Sequence, residues 1–379
     1  MLNLNIIIIG SLHHNTLGVV RSLGEAEISS ENIWVLLVAN ERRSKNIISS
    51  SKYVKLENIS FVTKHEEIIP WLLNKIDFKG QAVVICCSDG AAEAVISGEK
   101  ILQSKYKIPK TVMDITSLMV KSNQGKIAKE CGLNIPEGAE FETNKAIEWD
   151  SFPCIIKPFK STTLGGKSDI RVLYSREELE EVLPILKSEK IQIQQYIDKE
   201  MEFQLIGCSL DMGKIIIIPG FTDIIRQPKN TNTGYLRYSP IKKLNFELGP
   251  VEKFIRKIGY SGLFSVEFIR GKDKKDYFLE INMRNDGNAY CVKTAGVNLP
   301  YIWVYYQNYG HLPPLPTTFD EPVYFIPDFN DLKVSFREIG LVRWFKDFRR
   351  AESHSIYNKK DMEPFKVEFW RLVKRTLKL

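Results

Sequence analysis

Two stretches alternate apolar and polar positions with a period of two, Phe264 to Ile269 (FSVEFI) and Tyr277 to Asn282 (YFLEIN), and the run between them, RGKDKKD, is polar with one Gly. This pattern predicts a hairpin. In the first strand Phe264, Val266 and Phe268 share one face, which leaves Glu267 on the other with Ser265. In the second, Tyr277, Leu279 and Ile281 share a face, so Glu280 and Asn282 point together to the opposite one. Antiparallel pairing then lets Glu267 meet Glu280 and Asn282, with a cation two residues on at Arg284. Three hard oxygen ligands on a rigid sheet suit Mg²⁺, or Mn²⁺, held together with a nucleotide. A solvated hairpin with scattered charges is the plainer alternative.

The pattern before the hairpin divides in two. Asn5 to Gly10 (NIIIIG), Ile33 to Ala39, Ile59 to Val62 and Ala82 to Cys86 are apolar runs of strand length, with helices expected over Leu17–Leu23 and Glu66–Lys75. Strands alternating with helices predict an open parallel α/β sheet. Its first turn lacks a dinucleotide fingerprint, because Ser11, Leu12, His13 and His14 follow Gly10, and no Walker A loop occurs in the chain. Ser11, His13, His14 and Ser88–Gly90 fall at the carboxyl edge of this sheet, where a small molecule can lodge.

A boundary is expected near Lys110–Thr116. A helix over Leu118–Cys131 should stop at Gly132. A strand then ends in Lys157-Pro158 and runs into the Ser-, Thr- and Gly-rich loop KSTTLGGKS, which can bring an ammonium and backbone N–H groups to polyphosphate. A helix is expected over Arg176–Lys187, and Ile191 to Ile197 (IQIQQYI) alternates as a strand. Another helix, Val251–Ile258, leads back to the hairpin.

Composition narrows the class. The 379 residues are 44% hydrophobic and 26% charged, which is ordinary for a folded globular protein and excludes a disordered or fibrous chain. Six cysteines without a C-x-x-C pair point to free thiols and against a zinc site, hence to a reducing cytoplasm. No basic n-region precedes the isoleucine run, and no stretch has the length of a bilayer span. The net charge of +7 is uneven, since residues 341–379 hold 11 Lys or Arg and 5 Asp or Glu. Such a neutral body, without an aromatic-basic recognition motif, argues against nucleic acid as a partner. In the basic tail, Leu341, Trp344, Phe345 and Phe348 fall on one helical face, and Phe365, Phe369, Leu372, Val373 and Thr376 on another. Such stripes either pack on the protein or lie on the inner face of an anionic membrane.

The hairpin with its Glu and Glu-x-Asn-x-Arg resembles the metal-binding end of the ATP-grasp superfamily, in its carbamoyl-phosphate-synthase-like form. The resemblance implies that Glu267, Glu280 and Asn282 hold the metal ions of MgATP, with Arg284 beside them. It further implies that Lys121 and Lys157 touch the phosphates and that Ser161 to Lys167, including Ser161, Gly165 and Gly166, form a lid. Gln194, Gln195, Tyr196 and Ile197 would read the adenine edge, and Glu202 would hold the ribose. Arg226 is placed on the γ-phosphate side, with Thr233, Gly234 and Arg237 bounding the acceptor. The chain departs from the family's usual residues at Val120, Gln195 and Met283. GVVRSLG (Gly18–Gly24), SKYVK (Ser51–Lys55), CSDGAAEAV (Cys87–Val95) and DMEPF (Asp361–Phe365) are similar to the D-aspartate ligase-like and surface-polysaccharide carboxylate-amine ligases.

The resemblance implies four segments: 1–112 as a parallel α/β domain, 113–195 and 196–330 as the two grasp lobes, and 331–379 as a basic helical extension. It implies an ATP-dependent carboxylate-amine or carboxylate-thiol ligase working through an acyl phosphate, in polysaccharide or cell-wall synthesis. A small-molecule phosphotransferase and a nucleotide-binding module without turnover stay open as alternatives. The acid, the amine and the oligomeric state are not legible.

Overall fold

The computed structural model describes residues 4–40, 45–75, 81–158, 169–227 and 234–377. Ser161, Gly165, Gly166 and Thr233, expected around the phosphates and the acceptor, lie outside the described residues.

The first sheet is parallel. Strands β1 (Ile6–Gly10), β2 (Ile33–Val38), β3 (Ile59–Val62), β4 (Ala82–Cys86) and β5 (Tyr106–Lys107) lie in the order β3-β2-β1-β4-β5. Ile6, Ile7, Ile8 and Ile9 are all fully buried, because β1 is central and covered on both faces. Each such side chain contributes roughly 1.5–3 kcal/mol by burial. The helix after β1 spans His14–Gly24 and starts three residues before the expected Leu17. His13 is the reason: its backbone is extended and its Nδ1 accepts from the Asn15 N–H, which caps the helix.

A four-stranded sheet follows, in the order β6 (Gly138–Glu142), β9 (Lys190–Gln195), β7 (Cys154–Pro158) and β8 (Arg171–Leu173). Ile191 and Ile193 enter its small core, so Gln192 and Gln194 face the other way.

The third sheet has seven strands in the order β14-β13-β10-β11-β12-β15-β16. These are β10 (Lys199–Leu210), β11 (Ile215–Arg226), β12 (Tyr235–Pro240), β13 (Gly262–Gly271), β14 (Asp276–Asn282), β15 (Val323–Ile326) and β16 (Ser353–His354). Because β16 pairs with β15, residues beyond Asn330 are built into this sheet.

Two expectations about local structure need correction. The helix expected over Leu118–Cys131 is broken into Ile115–Leu118 and Lys121–Glu130. Val120 sits at the break with an extended backbone, and Gln124 Nε2 donates to the Leu118 carbonyl at 2.7 Å, giving that end a partner. The second correction is in β14. Glu267 pairs with Glu280 but Phe268 pairs with Phe278, so Leu279 is an extra residue and the alternation shifts there. Phe278 and Ile281 therefore enter the core while Leu279 does not, and Tyr277, Leu279 and Ile281 do not share one face.

The basic C-terminal part also differs from expectation. In the helix Leu341–Arg350, Trp344 is buried while Leu341 and Phe345 are exposed, so the expected single stripe is divided. Trp344 turns inward because its Nε1–H donates to the buried Asp331 at 2.9 Å. In the last helix, Glu363–Leu377, Phe365 packs on Phe329, whereas Phe369 and its neighbour Trp370 remain exposed.

Candidate active site

The β13–β14 hairpin and the β6-β9-β7 face enclose a cavity of about 430 Å³, with the helix Lys121–Glu130 closing one end. On the hairpin, Glu267 stands directly opposite Glu280, and Ser265 opposite Asn282. Phe268 anchors this face from behind, stacked on Phe203 with ring centres 5.2 Å apart. Asn282 Nδ2 donates to Glu267 Oε1 at 3.2 Å. Desolvation first, then the neighbouring carboxylates of Glu280 and Asp286, push the Glu267 carboxyl up to about 8. Two carboxylates turned into one partly dry space are held there by the register, against their repulsion.

The cations come from other elements. Lys121 is the first residue of its helix and forms an ion pair with Glu280. Gln124, one turn on, fixes that helix to the edge strand: its Oε1 accepts from Ile281 N at 2.9 Å and its Nε2 donates to Ile281 O at 3.1 Å. One amide thus stands in for a strand neighbour at the open edge of β14. From β7, Lys157 donates to Gln194 Oε1 at 3.2 Å. Burial, and next the Lys121 ammonium, lower its proton affinity, while Glu280 opposes them.

The remaining expected residues are placed less uniformly. Gln194 lines the cavity with Gln192. Beyond it, Gln195 N–H donates to Glu137 O and Tyr196 N–H to Pro153 O, so Gln195, Tyr196 and Ile197 carry the chain past the cavity rim toward β10. Glu202 shares a face of β10 with Gln204, two residues along, and accepts from Lys199 at 2.8 Å. Arg284 is half-buried next to the first sheet. Its Nε donates to Asp89 at 3.1 Å and its Nη1 to Asp286 at 3.2 Å.

Arg226 is not brought to the cavity. Its Nη2 meets Asp331 and its Nη1 meets Asp347, each at 2.7 Å, so its charge is taken up by the C-terminal helices. The expectation for the γ-phosphate side is corrected accordingly: a basic residue at the end of β11 is a structural anchor here. Arg237 is also engaged, with Asp223 at 2.6 Å.

Several contributors were missed in the sequence. Gln204 donates to Asp286 at 2.8 Å and to Glu267 at 3.4 Å, linking the hairpin carboxylate to the loop after it. Gln192 and Glu140 line the cavity. The alternation around Ile191 and Ile193 already put Gln192 on the face of Gln194, so that signal was available; nothing local marked Gln204 or Asp286.

Among the described residues, no group of three or more His, Cys, Asp or Glu could hold a metal unaided. Glu267, Glu280 and the Asn282 amide oxygen form an all-oxygen set of the kind Mg²⁺ takes when phosphate and water complete its shell.

No protein-family model matches the chain, and no curated protein matches it in sequence. Solved structures do. It is similar to N5-carboxyaminoimidazole synthetase from Staphylococcus aureus, with 16% identity and a TM-score of 0.63 over 89% of this chain and 88% of that one. It is similar to L-amino acid ligase from Bacillus licheniformis, with 16% identity and a TM-score of 0.57 over 80% of this chain and 73% of that one. A third likeness is the biotin carboxylase domain of 2-oxoglutarate carboxylase from Hydrogenobacter thermophilus, in complex with MgADP, ADP and bicarbonate. There the identity is 17% and the TM-score 0.58, over 82% of this chain and 70% of that one. At these identities the likeness establishes the fold, which is that of the ATP-grasp proteins.

Proposed function

We propose that the protein is an ATP-dependent ligase that joins a carboxylate to an amine through an acyl phosphate, with MgATP in the 430 Å³ cavity. The observation that carries this reading is the register pair Glu267–Glu280 facing the ammonium groups of Lys121 and Lys157. Paired carboxylates suit a divalent cation, and the two lysines suit a polyphosphate. The raised affinity of Glu267 for protons and the lowered one of Lys157 are what an unneutralised anion site and an unneutralised cation site share. The solved likeness from Hydrogenobacter contains MgADP, which supports the choice of ligand.

In this reading Glu267, Glu280 and Asn282 hold Mg²⁺, or Mn²⁺, which neutralises charge on the phosphate oxygens when bound. Lys157 and Lys121 orient the phosphates. Gln194 to Ile197 border the base, Glu202 the ribose, and Ser161, Gly165 and Gly166 are assigned to nucleotide binding. Arg284, two residues after β14, is assigned to the reacting carboxylate. A carboxylate oxygen attacks the γ-phosphorus and ADP leaves; the amine nitrogen then attacks the acyl carbon, phosphate leaves with the C–O electron pair, and the nitrogen's proton passes to phosphate or solvent. Such transfer depends on positioning and charge neutralisation.

The motifs GVVRSLG, SKYVK and DMEPF support a place near the D-aspartate ligase-like and surface-polysaccharide branch, because they meet at one site. Arg21, Ser51 and the Lys52 N–H all bond Asp361. A lipid-linked sugar acceptor would also give purpose to the exposed Leu341, Val342, Phe345, Phe369 and Trp370 beside Arg343, Lys346 and Lys374, as a peripheral contact with an anionic membrane.

The test is phosphate release from MgATP with pools of carboxylic acids and amines. Release requiring one member of each pool, and absent from Glu280→Ala, supports the ligase. ADP formation without free phosphate identifies a phosphotransferase and overturns it.

A further inference from the structure

Glu267 has a cross-strand partner on each side. Glu280 stands opposite it on β14, and Gln204 stands opposite it on β10. Side chains directly opposite on neighbouring strands share a face, so register alone sets the Gln204 amide beside the two carboxylates. Gln204 is 9% exposed, and so dry an amide must find its partners within the protein. Its Nε2 donates to Asp286 Oδ2 at 2.8 Å and to Glu267 Oε1 at 3.4 Å. Its Oε1 accepts from Asn288 Nδ2 at 3.3 Å.

The direction of this amide is forced by what surrounds it. Asp286 accepts from Gln204, from Ser265 Oγ at 3.0 Å, from Arg284 Nη1 at 3.2 Å and from the Asn288 N–H at 2.8 Å. A carboxylate accepts, so only the NH₂ end of Gln204 fits between Asp286 and Glu267. Asn282 brings a second amide to the same oxygen, its Nδ2 donating to Glu267 Oε1 at 3.2 Å. Both amides are thus spent on Oε1. That leaves Oε2 of Glu267, and likewise Oδ1 of Asn282, to face a cation.

We propose that Gln204, held by Asp286, is a positioning residue for the metal: it occupies Glu267 Oε1 and restricts this carboxylate to coordination through Oε2 alone. The narrow bite of a carboxylate bound by both oxygens does not fit the near-ideal octahedron that Mg²⁺ demands, whereas the looser shell of Ca²⁺ accepts it. Gln204 therefore favours the smaller cation. Losing such an outer partner of a metal ligand lowers metal affinity about 10- to 100-fold. The proposal rests on the reading of Glu267, Glu280 and Asn282 as the metal set, and is independent of which acid and amine are joined.

The experiment is calorimetric titration of the full chain with a non-hydrolysable ATP analogue in Mg²⁺, in Ca²⁺ and in EDTA. It compares the wild type with Gln204→Met, which keeps the length of the side chain without its donor or acceptor, and with Glu280→Ala. In Gln204→Met the gain in analogue affinity that Mg²⁺ gives over EDTA should fall at least tenfold. The gain from Ca²⁺ should fall less, and affinity in EDTA should stay within twofold. Asn288→Ala, at a half-buried position, frees the same amide with less disturbance of the core and should show the same selective loss, smaller in size; it decides the matter if Gln204→Met does not fold. A loss equal in all three solutions marks a purely structural role and overturns the proposal. So does a Mg²⁺ gain that both substitutions leave intact while Glu280→Ala removes it, and in that case the metal site and the ligase reading stand. If Mg²⁺ gives the wild type no gain, or Glu280→Ala keeps it, the metal site itself is wrong and the reading falls together with the proposal.

Discussion

Arg21 Nε lies 2.9 Å from Asp361 Oδ2, and the two residues, 340 positions apart, are both buried. Arg21 also donates to the Asp361 carbonyl at 2.9 Å, while Ser51 Oγ and the Lys52 N–H complete the carboxylate's partners. The pair ties the first sheet's helix to the start of the last helix.

Asp361→Ala should therefore destabilise the protein by about 3–5 kcal/mol, since it leaves a buried guanidinium without its counter-charge. Lys274→Ala, which breaks an exposed pair with Glu200, should cost about 0–1 kcal/mol. Urea midpoints of the two variants check the contrast.

Arg226→Ala is expected to act on stability and not on nucleotide. It uncovers Asp331, which is fully buried, at a cost of about 3–5 kcal/mol, while affinity for MgATP stays within twofold. A tenfold loss of affinity in a variant that remains folded would restore Arg226 to the phosphate site.

Gln124→Ala removes both bonds to Ile281 and the one to Leu118. The helix bearing Lys121 loses its attachment to β14. A stability loss of about 1–3 kcal/mol should accompany a KM for ATP raised several-fold, with kcat changed less. Steady-state kinetics at saturating acid and amine decide it.

Glu280→Gln keeps the size of the side chain and removes one of the two facing carboxylates. Turnover should fall at least a hundredfold, and excess Mg²⁺ should recover part of it. Chelation of the metal in the wild-type protein should abolish turnover and return it on re-addition.

Val342→Glu with Phe345→Glu places two negative charges on an exposed helix face. Sedimentation with vesicles rich in anionic lipid should drop to the level seen with neutral vesicles, while phosphate release from soluble substrates stays unchanged. Equal sedimentation before and after the substitutions removes the membrane contact.

Short-range pattern settles a good part of this molecule. The isoleucines of β1 have nowhere to go but a sheet covered on both faces, and the alternation around Glu267 makes its outward direction a matter of parity. The Glu267–Glu280 pairing was readable for that reason, as was Lys157 at the end of an apolar strand. Parity fails where a residue is inserted. The bulge at Leu279 answers to the pairing of β13 with β14, which no property of YFLEIN alone announces.

What tertiary structure decided is the destination of the long polar side chains. Arg226 looked the same in sequence as a phosphate ligand, and it was acids about 105 and 121 residues later that took its charge. Gln124, Gln204 and Asp286 acquire their roles only when separate strands and helices bring a bare backbone edge or a second carboxylate within 3.5 Å. The space lined by Leu12, Phe329 and Val367 exists only after the last helix packs over the first turn. Local hydrophobic periodicity is a property of neighbours in the chain, whereas pairing a buried charge or filling a cavity depends on atoms that the chain brings together from far away.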